Sequence, residues 1–229
     1  MEIPIVHSSG PILLVGGALD KPEAILPWLG MVNAIVAADG GADAVVAAGV
    51  QPDAVIGDMD SVSAVARSVI PDARMHPITE QDSTDFDKAL RHVSAPLVIG
   101  LGFLGARVDH ELAAMTVLAR HADRRCILLG SEDLVMLCPP RLALNLPAGT
   151  RVSLFPLGPV TGRSTGLRWP LDGLEFAPAL RGGTSNEAVG GPVEIATDQP
   201  LMLLILPLSC LGPVRSALAS QPASWPARA

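Results

Sequence analysis

Ala54-Val55-Ile56-Gly57-Asp58-Met59-Asp60-Ser61 passes from an apolar tetrad directly into two aspartates one residue apart. A short apolar run closed by polar residues is the pattern of a buried strand, and Asp58 and Asp60 stand where that strand would emerge into solvent. Two unit charges about 4 Å apart repel by roughly 4 kcal/mol at an effective dielectric near 20, so the pair calls for a cation. Magnesium suits it, because that ion takes one or two protein carboxylates, keeps several waters and completes its shell with phosphate oxygens. The same residues also serve as ordinary strand-ending turn chemistry, so the motif by itself leaves both readings open.

Working outward, further buried strands are predicted at Ile12 to Val15, Ala34 to Ala38, Leu97 to Ile99 and Cys126 to Leu129. Gly41 to Gly49, with Ala42, Val45, Val46 and Ala48, reads as a crossover helix that makes a βαβ unit. Parallel strands joined in this way bring their carboxyl ends to one edge, where open α/β sheets bind ligands. Gly16-Gly17, Asp39-Gly40-Gly41, Asp58-Met59-Asp60 and the loop from Gly100 converge there, and the glycines let backbone N–H groups approach a nucleotide closely.

Gln81-Asp82-Ser83-Thr84-Asp85 joins the same edge, ahead of a helix with Phe86, Leu90 and Val93 on one face. Thr84 or Asp82 caps that helix. Asp85 adds a carboxylate for the cation, and Lys88, one turn on, offsets phosphate charge. Gly100 to His110 then leads into a second helix, with Val108, Leu112, Met115 and Ala119 at helical spacing. Its G-x-G-x-x-G pattern would suit a dinucleotide, with Glu132 as a ribose acceptor. Asp109 would repel a bare pyrophosphate at that helix start unless a cation or Arg107 intervened, so a metal-nucleotide fits better. His110 is either a base or a packing and capping residue.

Absences narrow the chemistry. The only lysines are Lys21 and Lys88, and neither lies in a P-loop. Kinase signatures, zinc spacings and a Gly-x-Ser-x-Gly elbow are missing as well. A net charge of −7 without a basic stripe excludes nucleic acid as a natural partner. Three cysteines without framework spacing indicate a reducing compartment. The start, with Glu2, lacks signal-peptide form, and the uncharged stretch Pro200 to Val214 is broken by Pro207 and Pro213. A cytoplasmic protein with no membrane span is expected.

The pattern changes near Ser131 to Arg141. Short runs follow, Leu142 to Leu146, Arg151 to Phe155, Val193 to Ala196 and Leu201 to Leu206, separated by Pro and Gly as in an antiparallel β-sandwich. The expected fold is an N-terminal parallel-sheet α/β domain, residues 1–135, followed by a C-terminal antiparallel β-sandwich, residues 136–229. Ala219 to Ala229 reads as a loose tail that Trp225 could pin.

Asp39-Gly40-Gly41-Ala42, Pro52-Asp53, Gly57-Asp58-Met59-Asp60-Ser61, Gln81-Asp82-Ser83-Thr84-Asp85 and Gly105-Ala106-Arg107-Val108-Asp109-His110, in this order, resemble the thiamine pyrophosphokinase family. Gly166-Leu167-Arg168-Trp169-Pro170-Leu171 and Gly183-Thr184-Ser185-Asn186-Glu187 extend the resemblance over nearly the whole chain. Ala106 departs from it, since members often carry a second glycine there. The resemblance implies Mg²⁺-dependent transfer of pyrophosphate from ATP to thiamine with release of AMP, by a homodimer whose active site lies at the subunit interface. It implies metal ligation by Asp58, Asp60 and Asp85, with Arg107 and Asp109 also at the reaction centre. ATP would lie against Gly16, Gly17, Asp39, Gly40, Gly41, Ser61, Thr84, Lys88 and Arg107. Gln81, Ser185 and Asn186 would bind thiamine, with Trp169 either packing on a ring or buried in the sandwich. A metal-dependent nucleotide-sugar transferase and a non-catalytic nucleotide sensor share some of these features but leave residues 183–187 unexplained.

Overall fold

A computed structural model describes residues 3–220 and 224–227; Glu2 and, of the expected tail, residues 221–223 and 228–229 lie outside the described residues. The chain forms two compact units. The first holds the residues up to Val117 together with Leu128–Gly130; the second holds Leu118–Ile127 and the described residues from Ser131 onward.

In the first unit the apolar runs become strands: β1 (Val6–His7), β2 (Ile12–Val15), β3 (Ala34–Ala38), β4 (Ala54–Gly57), β5 (Met75–Pro77), β6 (Val93–Ser94) and β7 (Val98–Leu101). The helices between them are α1 (Gly41–Ala47), α2 (Ala64–Val69), α3 (Asp85–Arg91) and α4 (Val108–Arg120), and β8 (Cys126–Leu129) follows. The parallel sheet runs β7-β2-β3-β4-β5. Every residue of β2, β4 and β7 is buried, as expected of parallel strands covered on both faces. The strand predicted at Leu97 to Ile99 lies slightly later, at Val98–Leu101, so Gly100 is a strand residue and not a loop. Phe86, Leu90 and Val93 are buried, as the helical pattern predicted, although Val93 already belongs to β6.

One predicted helix face is wrong in its first half. Val108 and Leu112 are exposed, whereas Ala119 is buried as expected, together with Ala114, Val117 and Leu118. The stripe at positions i, i+3 and i+4 from Ala114 is the more compact apolar set, and it decides which side of the helix turns inward.

The second unit is all-antiparallel apart from one helix. It contains β9 (Asp133–Leu137), β10 (Arg141–Leu146), β11 (Arg151–Pro156), β12 (Val160–Thr165), β13 (Glu175–Phe176), β14 (Gly183–Glu187), β15 (Gly191–Thr197), β16 (Met202–Pro207) and α5 (Leu211–Ser220). Two four-stranded arrangements result, β14-β11-β16-β9 and β10-β15-β12-β13. This is the sandwich that the alternating runs predicted, and β10 shows the alternation plainly, with Leu142, Leu144 and Leu146 buried. Helix α5 was not anticipated, and it takes up Ala219 and Ser220, which read as tail. Pro207 ends β16, and Pro213 falls in the first turn of α5, where its missing N–H has no intrahelical acceptor to lose. Beyond the helix, the Trp225 indole N–H donates to the Cys138 carbonyl at 2.9 Å. Cys126, Cys138 and Cys210 are free and buried. No helix among the described residues is long and apolar enough to cross a membrane.

Candidate functional site

Strand β4 delivers Asp58 and Asp60 at its carboxyl end, and the backbone between them reverses at Met59, whose φ is +69°. That conformation is uncommon for a non-glycine residue. The Arg67 guanidinium locks it from behind, donating from Nη2 to the Met59 carbonyl and from Nε to the Val62 carbonyl at 3.3 Å. Asp58 accepts the Asp60 N–H at 3.2 Å, and the Ser61 hydroxyl donates to Asp60 at 2.8 Å.

Asp39 reaches the same place from the end of β3. Its φ is +43°, its N–H donates to the Ile56 carbonyl, and its Oδ2 accepts the Ser61 N–H at 3.2 Å. Asp39, Asp58 and Asp60 each offer an oxygen within 4.8 Å of the others. Asp39 is only 3% exposed, and its Oδ1 is buried with no hydrogen-bond partner. An orphaned buried carboxylate oxygen is costly, and a hard cation is the partner such an oxygen lacks. Burial, together with the nearby Asp85 carboxylate, raises the Asp39 pKa above its ordinary value. For Asp58, burial works against the charge, but the Asp60 N–H and Lys88 outweigh it and hold its pKa below the usual carboxylate value.

Asp85 opens α3, where Thr84 caps the helix by accepting the Asp87 N–H at 3.4 Å. Its Oδ1 pairs with Lys88 Nζ at 3.2 Å, and the same ammonium reaches Asp58 Oδ2 at 3.3 Å. Asp85 lies outside the group of three carboxylates defined by Asp39, Asp58 and Asp60, but it lines the adjoining cavity. Gln81, exposed, donates to Asp58 at 3.3 Å.

The cavity has a volume of about 490 Å³ and is lined by Gly16, Gly17, Asp39, Gly40, Ser61, Thr84 and Asp85 on its polar side. Phe86 and Phe103, with ring centroids 4.5 Å apart, close its apolar side near Ala106 and Ala114. Two of the G-x-G-x-x-G glycines, Gly100 and Gly102, serve packing here, whereas Gly105 has open space around it. Gly102 has a φ of +71°, and a side chain on it would run into the Gly16 carbonyl. Arg107 and His110 also line the cavity. Arg107 is paired bidentately with Asp109 at 2.6 and 3.1 Å, and both are mostly exposed. The pairing raises the pKa of the arginine and lowers that of the aspartate. Asp109 does not join the three-carboxylate group.

In the second unit, Ser185 and Asn186 sit on β14. Ser185 has a φ of +61°, and its N–H donates to the Ser153 hydroxyl at 3.0 Å. Asn186 is buried, and its amide brackets the backbone of Trp169: Oδ1 accepts the Trp169 N–H at 3.2 Å, and Nδ2 donates to the Trp169 carbonyl at 2.6 Å. Trp169 itself is 53% exposed, with the Arg168 guanidinium 4.8 Å above its ring, so it is not a buried sandwich aromatic.

Sequence reasoning missed Asp43, Phe103 and Arg67. Asp43 lines the cavity and holds both the N–H and the hydroxyl of Ser63, the residue that caps α2. Its place in the first turn of the glycine-led helix α1 gave no sign of this, because Ser63 is twenty residues away. Phe103 was hidden inside the glycine pattern, which drew attention to its neighbours.

The sequence matches the family described as thiamin pyrophosphokinase, catalytic domain, over residues 29–129, and the thiamin pyrophosphokinase vitamin B1 binding domain over residues 141–202. Thiamine pyrophosphokinase 1 of Arabidopsis thaliana is 29% identical over 174 residues, which cover 68% of this chain and 65% of that protein. The chain thus spans just under two thirds of the length of this curated relative. Among solved structures, thiamin pyrophosphokinase from Candida albicans aligns with a TM-score of 0.74 at 15% identity, covering 90% of this chain and 93% of that one. The enzyme from Geobacillus thermodenitrificans aligns with a TM-score of 0.68 at 22% identity, covering 86% and 96%. The structural likenesses establish the shared α/β and β-sandwich layout.

Proposed function

Since the chain belongs to the thiamin pyrophosphokinase family, we propose that it transfers the terminal pyrophosphoryl group of ATP to the hydroxyl of thiamine, giving thiamine diphosphate and AMP. The observation that carries this reading is the buried, unpartnered Asp39 oxygen beside Asp58 and Asp60, at the edge of a glycine-lined cavity of nucleotide size.

In this reaction the thiamine hydroxyl oxygen bonds to the β-phosphorus and gives its proton to solvent, the bond from that phosphorus to the oxygen bridging it to the α-phosphate breaks, and AMP departs with that oxygen. Such transfers need positioning and charge stabilisation more than covalent help from the protein. Mg²⁺, held by Asp58 and Asp60 with Asp39 beside them and Asp85 at the same cavity, would supply positive charge to the polyphosphate oxygens. Gly16, Gly17 and Gly40 line the cavity and admit the nucleotide close to the backbone, with Ser61 and Thr84 offering hydroxyls, while Gly41 lets α1 pack against the end of β2. Arg107 can exchange Asp109 for phosphate, since its present pair is solvent-exposed and therefore weak. Lys88 contributes charge from behind the carboxylates.

Thiamine is assigned to Gln81 and Ser185, with Trp169 offering an exposed ring face and Asn186 acting through the Trp169 backbone that its amide holds. In this assignment the α/β catalytic domain is residues 1–135 and the thiamine-binding domain residues 136–229. We take the active form as a homodimer with its active site at the subunit interface, in the cytoplasm, where three unpaired buried cysteines would stay reduced.

Incubation with Mg-ATP and thiamine, followed by nucleotide analysis, tests the reading. AMP appearing in step with thiamine diphosphate is the expected result; ADP, or no thiamine-dependent nucleotide product, overturns it.

A further inference from the structure

Strand β14 does not keep the in-and-out alternation of a regular strand: Thr184 and Ser185 are exposed in succession before the buried Asn186. Its register against β11 gives the reason. Val152 pairs with Asn186 and Leu154 with Gly183, so Ser153 alone stands opposite both Thr184 and Ser185. One extra residue on one strand of a pair is a β-bulge, a device that bends the strand and re-aims a side chain. Within this bulge Ser185 has a φ of +61°, a conformation that costs a non-glycine residue free energy and persists only where the surroundings impose it.

The imposing group is Ser153. It is 5% exposed and lies between the fully buried Val152 and Leu154, where an apolar side chain would serve packing as well. A hydroxyl buried this deeply needs a hydrogen-bond partner. Its Oγ accepts the Ser185 N–H at 3.0 Å, where the register shift leaves Ser185 without a ladder partner on β11. The Arg151 guanidinium, itself paired with Asp133 on β9, reaches the same oxygen at 3.5 Å. A polar chain thus crosses the sheet from Asp133 through Arg151 and Ser153 to the bulge, entirely within the second unit.

We propose that Ser153 is a positioning residue for the substrate: its hydroxyl sets the bulge and thereby fixes the direction in which Ser185 meets thiamine. The inference rests on the assignment of thiamine to Ser185 and goes beyond it by naming the residue that makes Ser185 available. Without the Ser153 acceptor, Ser185 relaxes to a negative φ and its hydroxyl changes direction. Ser153 itself touches no substrate.

The test is a pair of substitutions and their combination in the purified full chain, with KM for thiamine, KM for ATP and the melting temperature measured for each. Ser185→Gly keeps the positive φ without strain and removes the hydroxyl, so it should raise the thiamine KM about tenfold, the equivalent of one lost hydrogen-bonded contact. Ser153→Ala should raise the thiamine KM by a similar factor and leave the ATP KM unchanged. The combined Ser153→Ala/Ser185→Gly protein should be no worse than either single variant, because both changes act through one hydroxyl. A merely structural serine would lower the melting temperature and leave the thiamine KM where it is. If Ser153→Ala does not fold, Ser153→Cys takes its place, similar in size but with sulfur only a weak acceptor. A folded Ser153→Ala or Ser153→Cys protein with the wild-type thiamine KM, or penalties that multiply in the combined variant, overturns the role of Ser153 and leaves thiamine at Ser185. An unchanged thiamine KM in Ser185→Gly overturns the thiamine assignment and the inference with it, and absence of thiamine-dependent turnover in wild type overturns the proposed function as well.

Discussion

Replacing Asn186 with Ala separates two roles that a single residue can have at a binding site. The Asn186 amide makes three hydrogen bonds: Oδ1 accepts from Trp169 N at 3.2 Å and from Glu187 N at 2.8 Å, and Nδ2 donates to Trp169 O at 2.6 Å. Asn186 is 6% exposed, so water does not replace these partners freely. At about 1 kcal/mol net for each bond, the truncation costs about 3 kcal/mol, which for a chain of this size lowers the melting temperature by roughly 6–12 °C. The amide has little hydrogen-bonding capacity left for a ligand, so its effect on thiamine runs through Trp169, whose backbone it holds in place. Differential scanning calorimetry would give the stability loss, and thiamine titration at a temperature where the variant is folded would give the affinity. Asn186→Asp should be no better than Asn186→Ala, because a carboxylate oxygen would face the Trp169 carbonyl where Nδ2 now donates. An Asn186→Ala protein that melts within about 1 °C of wild type yet fails to bind thiamine would refute this reasoning and make Asn186 a direct ligand.

Asp60→Asn should nearly abolish AMP release while leaving the melting temperature almost unchanged, since Asp60 is exposed and its charge is needed by the cation and not by packing; near wild-type turnover at ordinary magnesium would sink the metal assignment. Asp39→Asn should raise the metal-free melting temperature at neutral pH: the folded-state pKa of Asp39 is raised, so its favourable contribution is full below the unfolded value of about 3.8 and lost as pH rises through the folded value. The gap between Asp39→Asn and wild type should therefore close below about pH 4 in a pH series of melts, and a gap that widens there contradicts the burial argument. Mixing inactive Asp60→Asn subunits with inactive Asn186→Ala subunits, after demonstrated exchange, should recover about a quarter of wild-type activity if each pocket draws on both chains; a mixture that stays inactive places each pocket within one chain.

The parallel strands of the first unit were legible because their signal is local: Ile12–Val15 and Ala54–Gly57 are uninterrupted apolar runs that end on Gly or Asp, and the exits follow from parallel pairing alone. The convergence of Asp39, Asp58 and Asp60 was legible in the same way, as three residues at the ends of neighbouring strands. What the sequence hid depends on contacts between residues far apart in the chain. Nothing around Lys88 marks it as buried, because its position in the first turns of α3 is equally suited to a solvent-facing lysine; only the placement of Asp58, thirty residues away, turns it inward. Val108 and Leu112 misled for the opposite reason, since helical spacing shows that a stripe exists without showing which of two overlapping stripes is covered. In the second unit the strongly alternating β10 could be read, whereas β12 and β14, rich in Gly, Ser and Thr, lacked a period-two apolar signal.

Backbone geometry, more than the number of acids, is what makes this arrangement a site. Asp39 and Met59 both occupy the left-handed region, at a cost of order 1–3 kcal/mol each, and each sits directly where a strand hands over to the carboxylate group. Those conformations persist because they are held from behind: Met59 by the Arg67 guanidinium on its carbonyl, Asp39 by its own N–H on Ile56 and by the Ser61 N–H on Oδ2. Gly57 completes the condition. A Cβ there would come within 2.7 Å of the Asp39 Cβ and 3.1 Å of Asp85 Oδ1, so only glycine lets β3, β4 and α3 bring their acids to one point. A chain that needed Asp58 and Asp60 only to end a strand would require neither the Arg67 contact behind Met59 nor the missing side chain at Gly57. The residues around the opening motif thus go beyond what a strand-ending turn requires, which supports the proposal that a cation and a polyphosphate balance the charge gathered there.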